Sequence, residues 1–115
     1  MARVPGGYKT RRRRKRVLKK ASGFYGTRNR LFRTAKEAVD RSLVYAYRDR
    51  KDRKRVFRKL WITRINAAAR LHGMSYSVLI GSLKKANIDL DRRALAELAI
   101  RDPDGFAAVV AKSKD

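Results

Sequence analysis

The sequence predicts an all-α fold, in which a long basic helical N-terminal extension precedes a small compact helical C-terminal domain. Residues 27–72 contain no Gly and no Pro, as expected of a long helix. After Leu60, apolar side chains recur at helical spacing, whereas no segment shows the alternation of a half-buried strand. The chain has 115 residues, which is within the range of one domain.

The positive charge is concentrated in the first half of the chain. There are 32 Lys and Arg, 20 of them Arg, against 10 Asp and Glu, and the net charge is +22. Residues 1–59 hold 23 of the basic and 4 of the acidic residues, whereas residues 60–115 hold 9 and 6. Self-repulsion opposes folding, so this imbalance indicates a polyanionic partner. Nucleic acid is the commonest such partner, and an anionic membrane surface is the main competitor.

The basic arm, residues 1–59, is predicted to be helical only in part. Pro and Gly make residues 1–8 irregular. Residues 9–21 lack an apolar stripe, so in water we expect a fluctuating tract that becomes helical against a neutralising partner. Thr27 is the expected cap of a helix that reaches Gly73, either unbroken or bent near residues 46–52. Its narrow apolar stripe comprises Leu31, Ala35, Ala38, Val39 and Leu43.

The globular domain, residues 60–115, is predicted to contain four helices, the first being the end of the long helix. Ser75 is the expected cap of a helix over 76–86, and Asp91 of a helix over 92–101. Asn87 in the left-handed conformation would end the former, and Asp102-Pro103 would begin the last helix. The inward side chains are predicted to be Leu60, Trp61, Ile65, Ala68, Ala69, Leu71, Val78, Leu79, Leu83, Leu95, Leu98, Ala99, Phe106, Val109 and Val110.

Residue types that carry catalysis or bind metals are scarce. The chain has no Cys, which excludes disulfides, thiolate nucleophiles and most zinc sites. His72, the only histidine, is expected to cap carbonyls or contact a partner rather than act as a base. Asp89 and Asp91 have the positions of turn and cap residues. We therefore expect no enzyme activity, no metal and no cofactor. Neither a signal peptide nor a membrane span is apparent.

Residues 48–59 carry charge on most sides of the predicted helix. At 100° per residue, the largest gap between basic side chains is about 120°. A membrane-surface helix needs a broad apolar face, and a recognition helix presents a single face to a groove. This distribution indicates a rod surrounded by phosphates within folded nucleic acid.

Aromatic residues are interleaved with the charge. Against RNA they would stack on unpaired bases, while Arg would bind phosphates bidentately. For Phe24, Phe32 and Tyr45, packing against neighbouring helices is an equally good interpretation. For Trp61, core packing is favoured, because it lies among apolar residues.

Five stretches, in this order and spacing, resemble one protein family. They are MARV, GFYGTRNRLFR, YAYRDRKDRKRVFRKLWITRINAAAR, SYSVLIGSLKKA and DRRALAELA. The resemblance is to the L-twenty family of the bacterial and organellar large (50S) ribosomal subunit, and it covers essentially the whole chain. The block over residues 45–70 is the most specific. The chain departs from the family's usual form at residues 5–7, Pro-Gly-Gly, where family members usually have a more basic tip.

The resemblance implies a structural constituent of the large subunit that binds 23S rRNA directly and supports early assembly without taking part in peptidyl transfer. It implies an arm buried in rRNA and a C-terminal domain near the subunit surface, in a ribosome of the bacterial cytoplasm. The L-twenty-one and L-thirteen proteins would be neighbours. In some bacteria, family members also repress translation of their own mRNA through the C-terminal domain.

The residues predicted to bind RNA lie mostly in the arm. They are Arg3, Tyr8, Lys9, Arg11, Arg12, Arg13, Arg14, Lys15, Arg16, Lys19, Lys20, Phe24, Tyr25, Arg28, Arg30, Arg33, Arg48, Arg50, Lys51, Arg53, Lys54, Arg55, Arg58 and Lys59. In the domain they are Lys84, Lys85, Arg92 and Arg93, for which a solvated surface is an equally good interpretation. A DNA-compacting architectural protein, and a membrane-active basic segment fused to a helical domain, are the competing functions.

Overall fold

The structure, a computed structural model, describes residues 2–115 and confirms the predicted all-α class. Within this range there are five α-helices and one short 3-10 helix, and no β-strand. The helices are α1 (Gly7–Lys20), the 3-10 helix (Gly26–Asn29), α2 (Phe32–Leu71), α3 (Tyr76–Lys85), α4 (Arg92–Arg101) and α5 (Pro103–Lys114). The chain divides into two compact units, the first ending at Lys51 and the second covering Asp52–Asp115.

Helix α2 is continuous over 40 residues, and Asp49 and Asp52 lie inside it. It begins four residues later than predicted, because residues 26–29 form the 3-10 helix. The backbone carbonyl of Thr27 accepts from the amides of Arg30 and Leu31 at 3.1 and 3.0 Å. The prediction that Thr27 caps the long helix is therefore wrong.

Helix α1 forms although none of its residues is buried. Lys and Arg are good helix formers, and the basic residues of its last turn lie where the helix dipole favours positive charge. Residues 9–20 are helical in this structure, in which no partner is present, whereas the sequence predicted a helix there only against a neutralising partner. The irregular segment ends at Gly6, one residue before the helix begins.

The first unit has a small apolar cluster where the end of α1 meets the start of α2. Ala21, Ala35 and Val39 are buried, and Val17, Leu18 and Phe24 pack against them. The predicted apolar stripe is buried over a shorter length than expected, because the residues at its two ends, Leu31 and Leu43, are 57% and 55% exposed. Because so few side chains are buried, hydrophobic burial stabilises this unit only modestly.

The helix ends of the second unit agree with the prediction. The side chains of Ser75, Asp91 and Asp102 each accept a hydrogen bond from the backbone N–H three residues later, at 3.4, 2.6 and 3.0 Å. Gly73 and Asn87 have φ values of 75° and 55°, the left-handed conformation that ends a helix. These local signals determine where α3, α4 and α5 begin and where α2 and α3 end.

The core of the second unit is built by α2, α3, α4 and α5 together. Its buried residues are Ile65, Ala69, Leu79, Leu83, Leu95, Ala96, Phe106 and Val110. Three residues predicted to face inward are instead exposed, namely Leu60, Val78 and Leu71, at 38%, 55% and 87%. Leu71 lies two residues after the buried Ala69, and Val78 lies one residue before the buried Leu79, so each is on a side of its helix that the core does not cover.

His72 contributes to packing rather than to capping. Its ring centroid lies 6.0 Å from that of the buried Phe106. No helix in the described part of the chain is long and apolar enough to cross a membrane.

Candidate nucleic-acid interface

The basic side chains of α1 are exposed and available to a partner. Within residues 2–115, ion pairs are found only for Arg48, Arg55 and Arg101, so none of the cations of α1 is paired with a carboxylate. The guanidinium of Arg14 lies 5.4 Å from the ring centre of Phe32, a cation–π contact between α1 and α2. Since a paired cation must give up its partner to bind phosphate, the free cations of α1 are well suited to that role.

Two tyrosines on α2 combine exposed rings with neighbouring cations. Tyr45 is 50% exposed, and Arg48 lies 4.8 Å from its ring centre. Tyr47 is 60% exposed, with Arg50 and Lys51 at 5.8 and 5.0 Å. Each ring therefore offers a stacking surface next to a group that binds phosphate.

The aromatic residues of the 22–26 turn differ in their environments. Phe24 is partly buried against the apolar cluster of the first unit, so packing accounts for its position. Tyr25 is 91% exposed and is not among the residues that form or pack against that cluster. Of the two, Tyr25 is the side chain free to contact a partner.

A groove of about 820 Å³ lies in the second unit, between α2 and the start of α4. We call it the α2–α4 groove. It is lined by Arg53, Lys54, Arg55, Phe57, Arg58, Trp61, Asp91, Arg92 and Arg93. Packing thus brings together basic residues from the predicted arm and from the predicted domain patch. Lys84 and Lys85 are exposed in the last turn of α3 and do not line this groove.

The lining of the α2–α4 groove is strongly positive. Six of its nine residues are Lys or Arg, and Asp91 is its only acid. Arg55 pairs with Asp52 at 3.0 Å, but both side chains are largely solvated, so this bond is weak and easily exchanged. A phosphate entering the groove would meet an excess of unpaired donors.

Two features of the groove were not predicted from the sequence. Arg92 Nε donates a hydrogen bond to the hydroxyl of Tyr76 at 2.7 Å, a contact that nothing in the sequence indicates. Trp61 packs against the core, as the sequence predicts, but it is only partly buried there and also lines the groove. Its ring centroid is 6.4 Å from that of Phe57, which is 46% exposed.

Metal binding is not supported by any cluster in the structure. In the described range, no three His, Cys, Asp or Glu side chains come together in a way that would hold a metal ion. The chemistry available at both surfaces is therefore that of guanidinium, ammonium and aromatic groups.

Comparisons with known proteins identify the family. The family model described as Ribosomal protein L20 matches residues 3–109. The protein named Large ribosomal subunit protein bL20 is 60% identical over 114 residues in Citrifermentans bemidjiense and in Geobacter metallireducens, covering 99% of this chain and 97% of each relative. The protein of that name in Pelobacter propionicus is 61% identical over 109 residues, covering 95% of this chain and 93% of the relative. The chain therefore belongs to the ribosomal protein L20 family.

Proposed function

We propose that the chain is a structural constituent of the large ribosomal subunit, that it binds 23S rRNA directly, and that it supports early assembly without taking part in peptidyl transfer. The observation that carries this proposal is the α2–α4 groove, which combines six basic side chains with the aromatic pair Phe57 and Trp61. Family membership supports the same function. Its location would be the ribosome in the bacterial cytoplasm.

The exposed cations of residues 1–59 would neutralise phosphates where rRNA segments converge. Each phosphate contact releases counterions, so the gain in free energy is largest at low salt. The unpaired side chains of α1 support this role, because no internal ion pair has to be broken first. The proposed RNA-binding arm comprises residues 1–59, and the proposed globular domain comprises residues 60–115.

The second unit would supply the more selective contacts. RNA recognition depends on unpaired bases and on shape rather than on reading a deep major groove. Exposed aromatic rings next to guanidinium groups suit such bases. A role as repressor of its own mRNA, and contacts with the L-twenty-one and L-thirteen proteins, are further parts of the proposal that rest on the family resemblance.

Reconstitution of large subunits tests the assembly role. Particles are assembled from rRNA and the remaining large-subunit proteins, with the chain added at the start, added late, or omitted. We expect omission to leave slowly sedimenting precursors, and late addition to rescue them poorly. Mature particles formed at the normal rate without the chain would contradict the assembly role.

Peptidyl transfer is measured on the finished particles from the same experiment. We expect particles that carry variants with weakened RNA binding to catalyse peptide-bond formation at the normal rate once they have matured. A defect in the chemical step of fully assembled particles would contradict a purely structural role.

A further inference from the structure

We infer that the α2–α4 groove binds an unpaired RNA base together with a flanking phosphate, the base stacking on Phe57 and Trp61 and the phosphate bound by Arg92 and Arg93. This inference rests on the proposed function, because it takes the partner to be RNA. It adds the state of the nucleotide, unpaired, and the residues that select it.

The aromatic pair offers the stacking surface. Phe57 and Trp61 are one helical turn apart on α2, with ring centroids 6.4 Å apart and planes inclined by 35°. Rings at this separation are already in contact, so a base does not enter between them. It stacks on their outer face, where Phe57 is 46% exposed. An aromatic side chain exposed to this extent next to four basic residues of the same helix is best accounted for by a ligand with a flat ring and a negative charge.

The phosphate site is preorganised. The side chain of Arg92 is held by its hydrogen bond to the Tyr76 hydroxyl, at 2.7 Å, and both groups are partly buried. Arg92 and Arg93 are also the first residues of α4, where the backbone N–H groups point out of the helix. A guanidinium fixed in this way loses less entropy on binding a phosphate than a free side chain does.

Asp91 gives the groove a single acceptor among its donors. One of its oxygens accepts from the backbone N–H of Ala94 at 2.6 Å. An ionised carboxylate has further acceptor capacity, which suits the exocyclic amine of a base.

The size of the groove fits one or two nucleotides. Its volume of about 820 Å³ is within the range of roughly 300 to 1,000 Å³ typical of small-ligand sites. The bases of a continuous duplex are paired and stacked, so they cannot lie on Phe57, and a duplex would contact only the basic rim. Binding in the groove should consequently distinguish unpaired from paired nucleotides.

The test uses Trp61, the only tryptophan of the chain, as a local reporter. The full chain is titrated with an RNA hairpin that carries one unpaired adenosine, and with the same hairpin fully paired, the two strands of each stem being joined by a non-nucleotide linker so that no loop bases are present. At saturation of each, we expect the unpaired adenosine to quench Trp61 fluorescence and the paired stem to leave it nearly unchanged. Equal quenching by both hairpins, or none by either, would overturn the inference.

Variants at position 57 separate stacking from charge. We expect Phe57→Ala to weaken binding of the hairpin with the unpaired base by about 5- to 150-fold, and binding of the paired hairpin hardly at all. Phe57→Tyr keeps a ring and should retain the preference. Val56→Ala, a neighbour that is 61% exposed and does not line the groove, is the matched control. Circular dichroism confirms that each variant is folded, and if Phe57→Ala is not, Phe57→Leu replaces it.

Two further probes keep this inference separate from the proposed function. A polyglutamate peptide that quenches Trp61 as strongly as the RNA would indicate an acidic protein partner and overturn the inference. If the chain binds a DNA duplex as tightly as 23S rRNA, the proposed function fails. If Phe57→Ala keeps the preference for the unpaired base while the chain still binds 23S rRNA, the inference is overturned and the proposed function stands.

Discussion

Tyr76 and Arg92 connect the starts of two helices that are separate in sequence. The hydroxyl of Tyr76, the first residue of α3, accepts a hydrogen bond of 2.7 Å from Nε of Arg92, the first residue of α4. The backbone N–H of Tyr76 in turn donates to the side-chain oxygen of Asn66 in α2, at 3.2 Å. Through these bonds, the core-forming part of α2 positions a guanidinium of the α2–α4 groove.

Removing the Tyr76 hydroxyl should release Arg92 without disturbing the fold. We predict that Tyr76→Phe lowers the free energy of unfolding by about 0.5–1.5 kcal/mol, because one hydrogen bond is lost while the ring remains. Affinity for the hairpin with an unpaired base should fall several-fold. In a double-mutant cycle with Arg92→Gln, measured by titration, the two losses should be clearly non-additive. Additive effects would mean that Tyr76 does not act through Arg92.

Two leucines with opposite environments test the core of the second unit. Leu95 is fully buried, whereas Leu71 is 87% exposed. We predict that Leu95→Ala costs about 2–5 kcal/mol of folding free energy, from lost burial and a residual cavity. Leu71→Ala should change it by less than about 0.5 kcal/mol. Chemical denaturation of both variants measures the difference, and similar losses would contradict the packing described above.

Two helical glycines make a matched pair for the start of α5. A Cβ at Gly105 would collide with the side chain of Asp102, which caps this helix, whereas a Cβ at Gly81 in α3 meets nothing within 4 Å. We predict that Gly105→Ala loses about 0.5–2 kcal/mol through the damaged cap. Gly81→Ala should gain about 0.5–1 kcal/mol from helix propensity. Thermal unfolding gives both values, and the same sign for both would contradict this view of the Asp102 cap.

The helix ends of the second unit could be predicted because their causes are local. Ser75, Asp91 and Asp102 bond to amides three residues away, so neighbouring sequence is sufficient to identify them. Apolar periodicity located Leu95 and Phe106 equally well, but it placed Leu71 and Val78 inside. Periodicity identifies an apolar face, but it does not tell which apolar residues outside the centre of that face are covered.

The α2–α4 groove could be predicted only in part. The charges of Arg53, Arg58, Arg92 and Arg93 all pointed to nucleic acid, yet their meeting in one groove depends on the tertiary packing of the whole second unit. The bond between Tyr76 and Arg92 depends on packing in the same way, and no spacing rule reports it. Trp61 packs against the core as predicted, but the sequence pattern gives no sign that it also lines the groove.

Salt dependence should separate the charged residues of the groove from the aromatic ones. We predict that the double substitution Arg53→Gln and Arg58→Gln reduces the slope of log affinity against log salt by roughly 1–2, since each lost phosphate contact removes about 0.7–0.9. Phe57→Ala should lower affinity while keeping the slope. The control for net charge is the double substitution Arg64→Gln and Arg70→Gln, at two exposed positions outside the groove. An unchanged slope for the Arg53 and Arg58 double variant would exclude phosphate contacts at these two residues.

The central claim, that the chain is built to bind large-subunit rRNA, is tested most directly by a ratio of dissociation constants. The full chain is titrated with a 23S rRNA transcript and with a DNA duplex of equal phosphate number, over the same salt series. We predict tighter binding to the rRNA at every salt concentration, with the ratio growing as salt rises, because stacking and hydrogen bonding survive screening while phosphate attraction does not. Equal dissociation constants for rRNA and DNA across the series would contradict the claim.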